Sequence, residues 1–184
     1  MARLPYLDPA TAPEHVRETL GKLPVTLNIF RMMAHAEHDF RPMIQLGTAI
    51  LGRQKLSAKL RELVILRVGR LSTAEYEWVQ HVPIALACGA SRAQIDALER
   101  DDIEASCFDD TERTVLRFAT EVVRDVRASQ ATFDALARLL TTQEVVELVI
   151  TVGYYMLIAR VLETTGVDLD PPAGTSIVDA TRRS

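Results

Sequence analysis

Two stretches of this 184-residue chain place acid-base side chains in otherwise apolar helical stripes. In SAKLRELVILRVG, wound at about 100° per residue, Glu62 shares its sector with Ile65, Leu66 and Gly69, while Lys59, Arg61, Arg67 and Arg70 fall away from it. A carboxylate taken out of water without a partner holds its proton more tightly, which makes it a usable acid or base near neutral pH. The alternative for Glu62 is a structural ion pair with an arginine of another helix, such as Arg160.

The second stretch is TAEYEWVQHVPIALAC. Glu77 and His81 stand four residues apart and so meet on one helical face, beside Ala74, Trp78, Ile84, Ala85 and Cys88. A carboxylate next to an imidazole fixes its tautomer and raises its basicity, and Trp78 offers a low-dielectric wall for a planar substrate. The plainer reading is a helix-stabilising pair worth about 0.3 kcal/mol. Pro83 lies in the same segment and has no N–H for the carbonyl of Val79, so the helix kinks there or is satisfied otherwise. Cys88 is read as a core thiol, with activation by His81 as the alternative, and Cys107 sits among acidic residues that disfavour a thiolate. Glu62, Glu77 and His81 are also acceptable zinc or iron ligands, with His35 and His38 as supplementary donors, but their spacing is not diagnostic and no metal is assigned.

The elements that must position these groups are helical almost throughout. Apolar residues recur at intervals of three and four, only eight glycines and eight prolines interrupt them, and no strand-turn-strand pattern appears. Helices are expected from Pro13 to Gly21, across LNIFRMMAH, from Glu37 to Leu51, from a Ser57 cap to Gly69, and from a Thr73 cap onward. Ser91 with Gln94, Asp109 with Glu112, and Thr141 with Glu144 read as capping boxes, and Ser129 as a further cap. The final long helix ends at Gly166, and DLDPPAGTSIVDATRRS reads as an irregular tail. The recurrence of Glu62-Leu63-Val64-Ile65 as Glu147-Leu148-Val149-Ile150 is compatible with two related hairpins.

Composition narrows the function. A formal net charge of −4 and the lack of a basic run argue against nucleic acid. MARLPYLDP does not resemble a secretory signal, and the uncharged run Leu148 to Ala159 is too short to span a bilayer, so a cytoplasmic protein without membrane contact is expected. Two distant cysteines indicate neither a disulfide framework nor a zinc site. The apolar LVITVGYYMLIA run, uncharged around most of its helix, points to burial on more than one side and to a homo-oligomer.

The stretch LSAKLRELVILRVGRLSTAEYEWVQHVPIALACGAS resembles the core signature of the carboxymuconolactone decarboxylase and alkylhydroperoxidase D families, with LNIFRMMAH and GYYMLIARVLETTGVDLD resembling the flanking elements. The resemblance implies an all-α, alkylhydroperoxidase D-like bundle over residues 24–170, with an arm at 1–23 and a tail at 171–184, assembled as a trimer or hexamer. It sets Glu62 at the position of the family's helix-borne Glu and His81 at that of the histidine closing C-x-x-C-x-x-x-H. The two cysteine positions fall on Ala74 and Glu77, and the residue before the second is Tyr76. Peroxidase chemistry needs a nucleophilic thiolate and a resolving thiol, and neither Ala74 nor Glu77 supplies sulfur. The expectation is therefore a cofactor-independent acid-base enzyme of decarboxylase, lactone isomerase or ring-opening type. Its substrate would be a small organic acid or aromatic-pathway metabolite, with His81 as base or acid, Glu77 orienting it, Glu62 as second proton-transfer group, and Tyr76 and Trp78 on the substrate. Thiol activity through Cys88 and a non-catalytic, ligand-binding oligomer are the alternatives.

Overall fold

The computed structural model describes residues 1–181, which contain ten α-helices and no strand. In chain order these are α1 (Glu14–Gly21), α2 (Asn28–Met33), α3 (Glu37–Arg53), α4 (Ala58–Leu71) and α5 (Glu75–Ala87). They continue as α6 (Arg92–Glu99), α7 (Asp110–Asp125), α8 (Gln130–Ala137), α9 (Thr142–Thr165) and α10 (Ser176–Thr181).

Local chemistry starts most of these helices where expected. The hydroxyls of Ser57 and Ser129 accept from the backbone N–H three residues on, and capping boxes close at Ser91, Asp109 and Thr141. Gly166 ends α9 in the left-handed conformation, at φ 64°. The start of α5 differs from expectation. Its N-cap is Ala74, and Thr73 sits one residue earlier at φ 53°, its hydroxyl donating to the carbonyl of Ser72 at 2.7 Å. The turn from α4 to α5 is so tight that Thr73 is spent on reversing the chain rather than on capping. Helix α5 runs on through Pro83 without a break.

Every residue of α4 from Arg61 to Gly69 is buried. The helix is the central rod of the domain, packed by α5, α7 and α9 on different sides. This corrects the one-sided picture of SAKLRELVILRVG: Arg61 and Arg67 do not reach solvent. Arg67 donates to Thr120 Oγ1 at 2.9 Å and pairs with Asp101, and Arg61 turns to Glu62. A helix enclosed on all sides leaves its long polar side chains only such partners.

The N-terminal segment is stitched to the end of α9 and to the bundle. Arg3 N donates to the carbonyl of Thr165 at 2.7 Å, and Val16 and Leu20 of α1 join a core cluster with Ile29, Met33, Phe40 and Tyr76. The segment read as an irregular tail contains α10, which packs on α3. Helix α9, taken whole, is long and apolar enough to cross a membrane by length and composition, unlike its uncharged core alone. One of its faces, from Val145 through Leu148, Val152, Tyr155 and Ala159 to Leu162, belongs to the domain core.

Candidate active site

Helices α4 and α5 run back to back from the Ser72–Ala74 turn, which brings Glu62 to the level of His81. Their approach is close at Gly69, where an added Cβ would lie 3.3 Å from the Cβ of Glu77. A side chain at this position would push the first turn of α5, and Glu77 with it, off α4. Across this contact Glu62 Oε2 lies 2.8 Å from His81 Nδ1, and Glu77 Oε2 lies 3.4 Å from His81 Nε2. Arg61 Nε donates to the other oxygen of Glu62 at 3.0 Å. The result is a chain of alternating charge, Arg61 to Glu62 to His81 to Glu77, and all four residues are buried. The ring of Tyr155 from α9 meets the imidazole edge-on, with centroids 5.0 Å apart.

Beside this chain lies a cavity of about 100 Å³. Its walls are mostly apolar, including Leu27 and Phe30 from the α2 region, Ile44 and Leu51 from α3, and Ile158 from α9. Glu77, His81, Gln80, Tyr76, Tyr154 and Tyr155 supply its polar groups, and Glu77 is the one acid among its described lining residues. Glu62, wholly buried, lies behind His81 and does not line it.

Burial pushes the carboxyl of Glu77 up to about 7, against the favourable charge of His81 and with a small further push from Glu62. For His81, burial alone favours the neutral ring, but the hydrogen bond and charge of Glu62, joined by Glu77, outweigh it and hold the imidazole above its ordinary value. The tyrosine hydroxyls are held protonated, chiefly by burial.

A strap of chain crosses beside the cavity. The Tyr76 hydroxyl donates to Asp170 Oδ2 at 2.5 Å, and the backbone N–H of Asn28 donates to the same oxygen at 2.6 Å. Gln80 donates to the carbonyls of Asp170 and Pro171 at 3.1 and 3.2 Å and accepts from Ala173 N at 3.0 Å. Ile177 of α10, just beyond, lines the cavity.

The structure thus brings Glu62, Glu77, His81 and Tyr76 together, but not Trp78. Residues two apart on a helix point about 200° apart, so Tyr76 and Trp78 cannot share a cavity. Trp78 packs instead on the cluster of Leu63, Leu66, Ala85 and Leu98, facing α6. The partner of Glu62 is Arg61, whereas Arg160 bonds the carbonyl of Met156 in its own helix. Cys88 packs against the main core cluster and does not line the cavity, and Cys107 Sγ donates to the carbonyl of Ala93. His35 binds the carbonyl of Pro5, and His38 stacks on His15, both outside the site. Tyr154, Tyr155, Gln80 and Asp170 were not singled out from the sequence. The two tyrosines lie in GYYMLIARVLETTGVDLD, but their register on a helix apolar all round gave no sign of which face meets the site.

The imidazole stands between the two carboxylates, each on a different ring nitrogen, so the three do not converge on a common point. No group of three metal-ligating side chains does so among the described residues.

Among curated proteins none matches the chain. Three solved structures share its fold over nearly its whole length. An alkylhydroperoxidase AhpD core, an uncharacterized peroxidase-related protein from Ralstonia eutropha JMP134, is 22% identical with a TM-score of 0.78, covering 92% of each chain. A peroxidase-related protein from Silicibacter sp. TM1040 is 17% identical with a TM-score of 0.76 and the same coverage. The debrominase Bmp8, solved as a variant in complex with 2,3,4-tribromopyrrole, is 18% identical with a TM-score of 0.75, over 98% of this chain and 97% of its own. Residues 40–121, which hold α4, α5 and the charge chain, match the model of the Carboxymuconolactone decarboxylase family. That match lies inside an AhpD-like fold, which makes the chain similar to carboxymuconolactone decarboxylase/AhpD-like proteins.

Proposed function

We propose that this protein is a cofactor-independent acid-base enzyme that moves a proton on the uncharged, apolar end of a small metabolite. Lactone isomerisation and ring opening proceed through such a transfer. The observation that carries the reading is Glu77: it faces the apolar cavity, and its carboxyl titrates at about 7, so both protonation states are present at neutral pH. Glu77 takes up a proton from the carbon next to a substrate carbonyl and, from its protonated form, returns one to the resulting enolate. Protonated His81 steadies the carboxylate that forms. Glu62, out of reach of substrate and itself held by Arg61, fixes the ring of His81. The roles of the carboxylates are thus the reverse of those the spacing suggested.

The uncharged character of the reacting end follows from the walls. No lysine or arginine lines this cavity among the described residues, and its one cation, protonated His81, is already held between Glu62 and Glu77, so an anion pressed against ionised Glu77 would meet like charge. The Bmp8 complex with tribromopyrrole supports the reading to the extent that a protein of this fold holds a small ring. Sulfur chemistry has no support from the site, since Cys88 is not among the residues that line the cavity.

A panel of lactones and cyclic ketones in deuterated water tests this, with proton NMR reading solvent deuterium at the substrate and the appearance of product. Deuterium incorporation above background is expected for at least one compound. It should fall at least about 100-fold in His81→Ala and Glu77→Gln, and persist when Cys88 and Cys107 are both replaced by Ser. Incorporation that survives in both site variants, or vanishes with the cysteines, would overturn the assignment.

A further inference from the structure

We propose that the substrate is an amphipathic carboxylate whose charged end is read by Lys22 and Arg41, in a second cavity that continues the catalytic one. The proposal rests on the acid-base reading only for which end of the ligand faces Glu77.

Size is the first observation. An apolar cavity of roughly 150 Å³ takes up benzene. The inner cavity, at about 100 Å³, holds no more than a small ring or a short chain. Beside it lies an outer cavity of about 260 Å³. The two share Leu23, Ile44, Thr48 and Ile177 as walls, so that only side chains from α3, the α1–α2 connection and α10 part them. A substrate larger than a small ring extends past these side chains into the outer space.

Charge is the second observation. The outer cavity is lined by Lys22 and Arg41 with Thr19 and Gln45 beside them, and by no acidic residue among those described. In a chain of net charge −4 this is a local reversal of sign. Neither cation forms an ion pair with a described residue. The inner cavity differs: its α3 wall carries no charge, it has no lysine or arginine among the described lining residues, and its charged groups are Glu77 and the His81 paired with it. From Thr48, which lines both cavities, to Arg41 is seven residues along α3, or about 10 Å of helix rise. A guanidinium at that distance, with an ammonium and an amide beside it, presents a fork for a carboxylate. One elongated site then accepts an uncharged reacting end and keeps the acid away from Glu77.

Octanoate, whose extended chain is of similar length, and octan-1-ol are the probes, measured by calorimetry on the full chain. Octanoate should bind about five- to tenfold more tightly than the alcohol at low salt, the strength expected of a partly exposed ion pair. This preference should shrink as salt rises from about 0.05 to about 0.5 M. The exposed substitutions Lys22→Gln and Arg41→Gln together should abolish the preference and leave the alcohol's affinity unchanged. Octanoate should also shift the methyl resonances of both Ile158, in the inner cavity, and Ala180, in the outer one. Binding of neither probe, equal affinities, a preference that survives the double substitution, or a shift of only one methyl overturns the proposal. These readouts concern binding alone. A carboxylate preference in a protein without deuterium exchange would strike the chemistry of Glu77 and not this site, and the converse result would strike this site alone.

Discussion

Glu62 Oε2 stands 2.8 Å from His81 Nδ1 in a part of the core where Glu62 has no exposed surface at all. Two opposed effects meet in that contact. Burial penalises the imidazolium, and Glu62 rescues it, leaving the ring more basic than in water. The contribution to stability is present below the ordinary histidine pKa and is lost as pH rises through the elevated one. An NMR titration of His81 should give a midpoint above 6.5 in the native protein and below it in Glu62→Gln, where burial acts with little opposition. A midpoint that does not move would show that Glu62 does not control the ring.

Glu77 contributes with a different origin. Its carboxyl titrates near 4.5 when unfolded and at about 7 when folded, because burial disfavours its charge. Below pH 4.5 both states hold the proton and the residue is neutral to stability. As pH rises the unfolded chain ionises first, so stability falls until about pH 7 and then levels, a loss of about 3 kcal/mol. Glu77→Gln should remove this slope and be more stable than the native protein at pH 8, as read from urea midpoints at several pH values. The same substitution abolishes deuterium exchange if the proposed function holds, the usual opposition between stability and a buried catalytic acid. Parallel pH profiles of the two proteins would contradict the buried, raised carboxyl.

Much of this site was legible in the sequence. The i, i+4 spacing of Glu77 and His81 and the apolar sector around Glu62 are local properties, and a three-residue turn leaves the two helices no choice but to pack together. Arg61 was misread because helical angle alone sends it to solvent; only the enclosure of α4 by three helices turns it back onto Glu62. Trp78 was misread because two residues at a separation of two cannot serve one cavity, a constraint the spacing itself contained. The strap at Asp170 and helix α10 were not legible. Their order comes from Gln80 and Tyr76, about ninety residues earlier in the chain, and nothing local in DLDPPAGTSIVDA announces those partners.

Tyr76 ties the strap to the site through Asp170 Oδ2, which also accepts from Asn28 N. Removing the hydroxyl in Tyr76→Phe leaves a carboxylate short of one partner and should cost about 1–3 kcal/mol of local stability. Hydrogen exchange should quicken over residues 168–181 while α4 and α7 keep their protection, because the strap opens without the bundle. Unchanged exchange in the strap would mean that Gln80 and α10 hold it unaided.

The last prediction concerns α9. Its inner face is core, yet Val146, Val149, Ile150 and Leu157 on the other face are 53, 45, 42 and 43% exposed. They recur at three, four and seven residues, which gathers them into one stripe, and no charged residue interrupts the helix between Glu147 and Arg160. A stripe of this kind on a helix marks a contact surface rather than scattered surface leucines. The proposal is that a second copy of the chain covers it, since each copy offers the same stripe and two-fold pairing is self-complementary. Light scattering at micromolar concentration should therefore give a multiple of 20.5 kDa. Glu substituted at both Val149 and Leu157 sets like charges across such an interface and should shift the protein towards the monomer, with the helical circular dichroism retained. A monodisperse monomer before substitution would remove the claim. A monomer that co-sediments with lipid vesicles would instead assign the stripe, on a helix long and apolar enough for a bilayer, to a membrane.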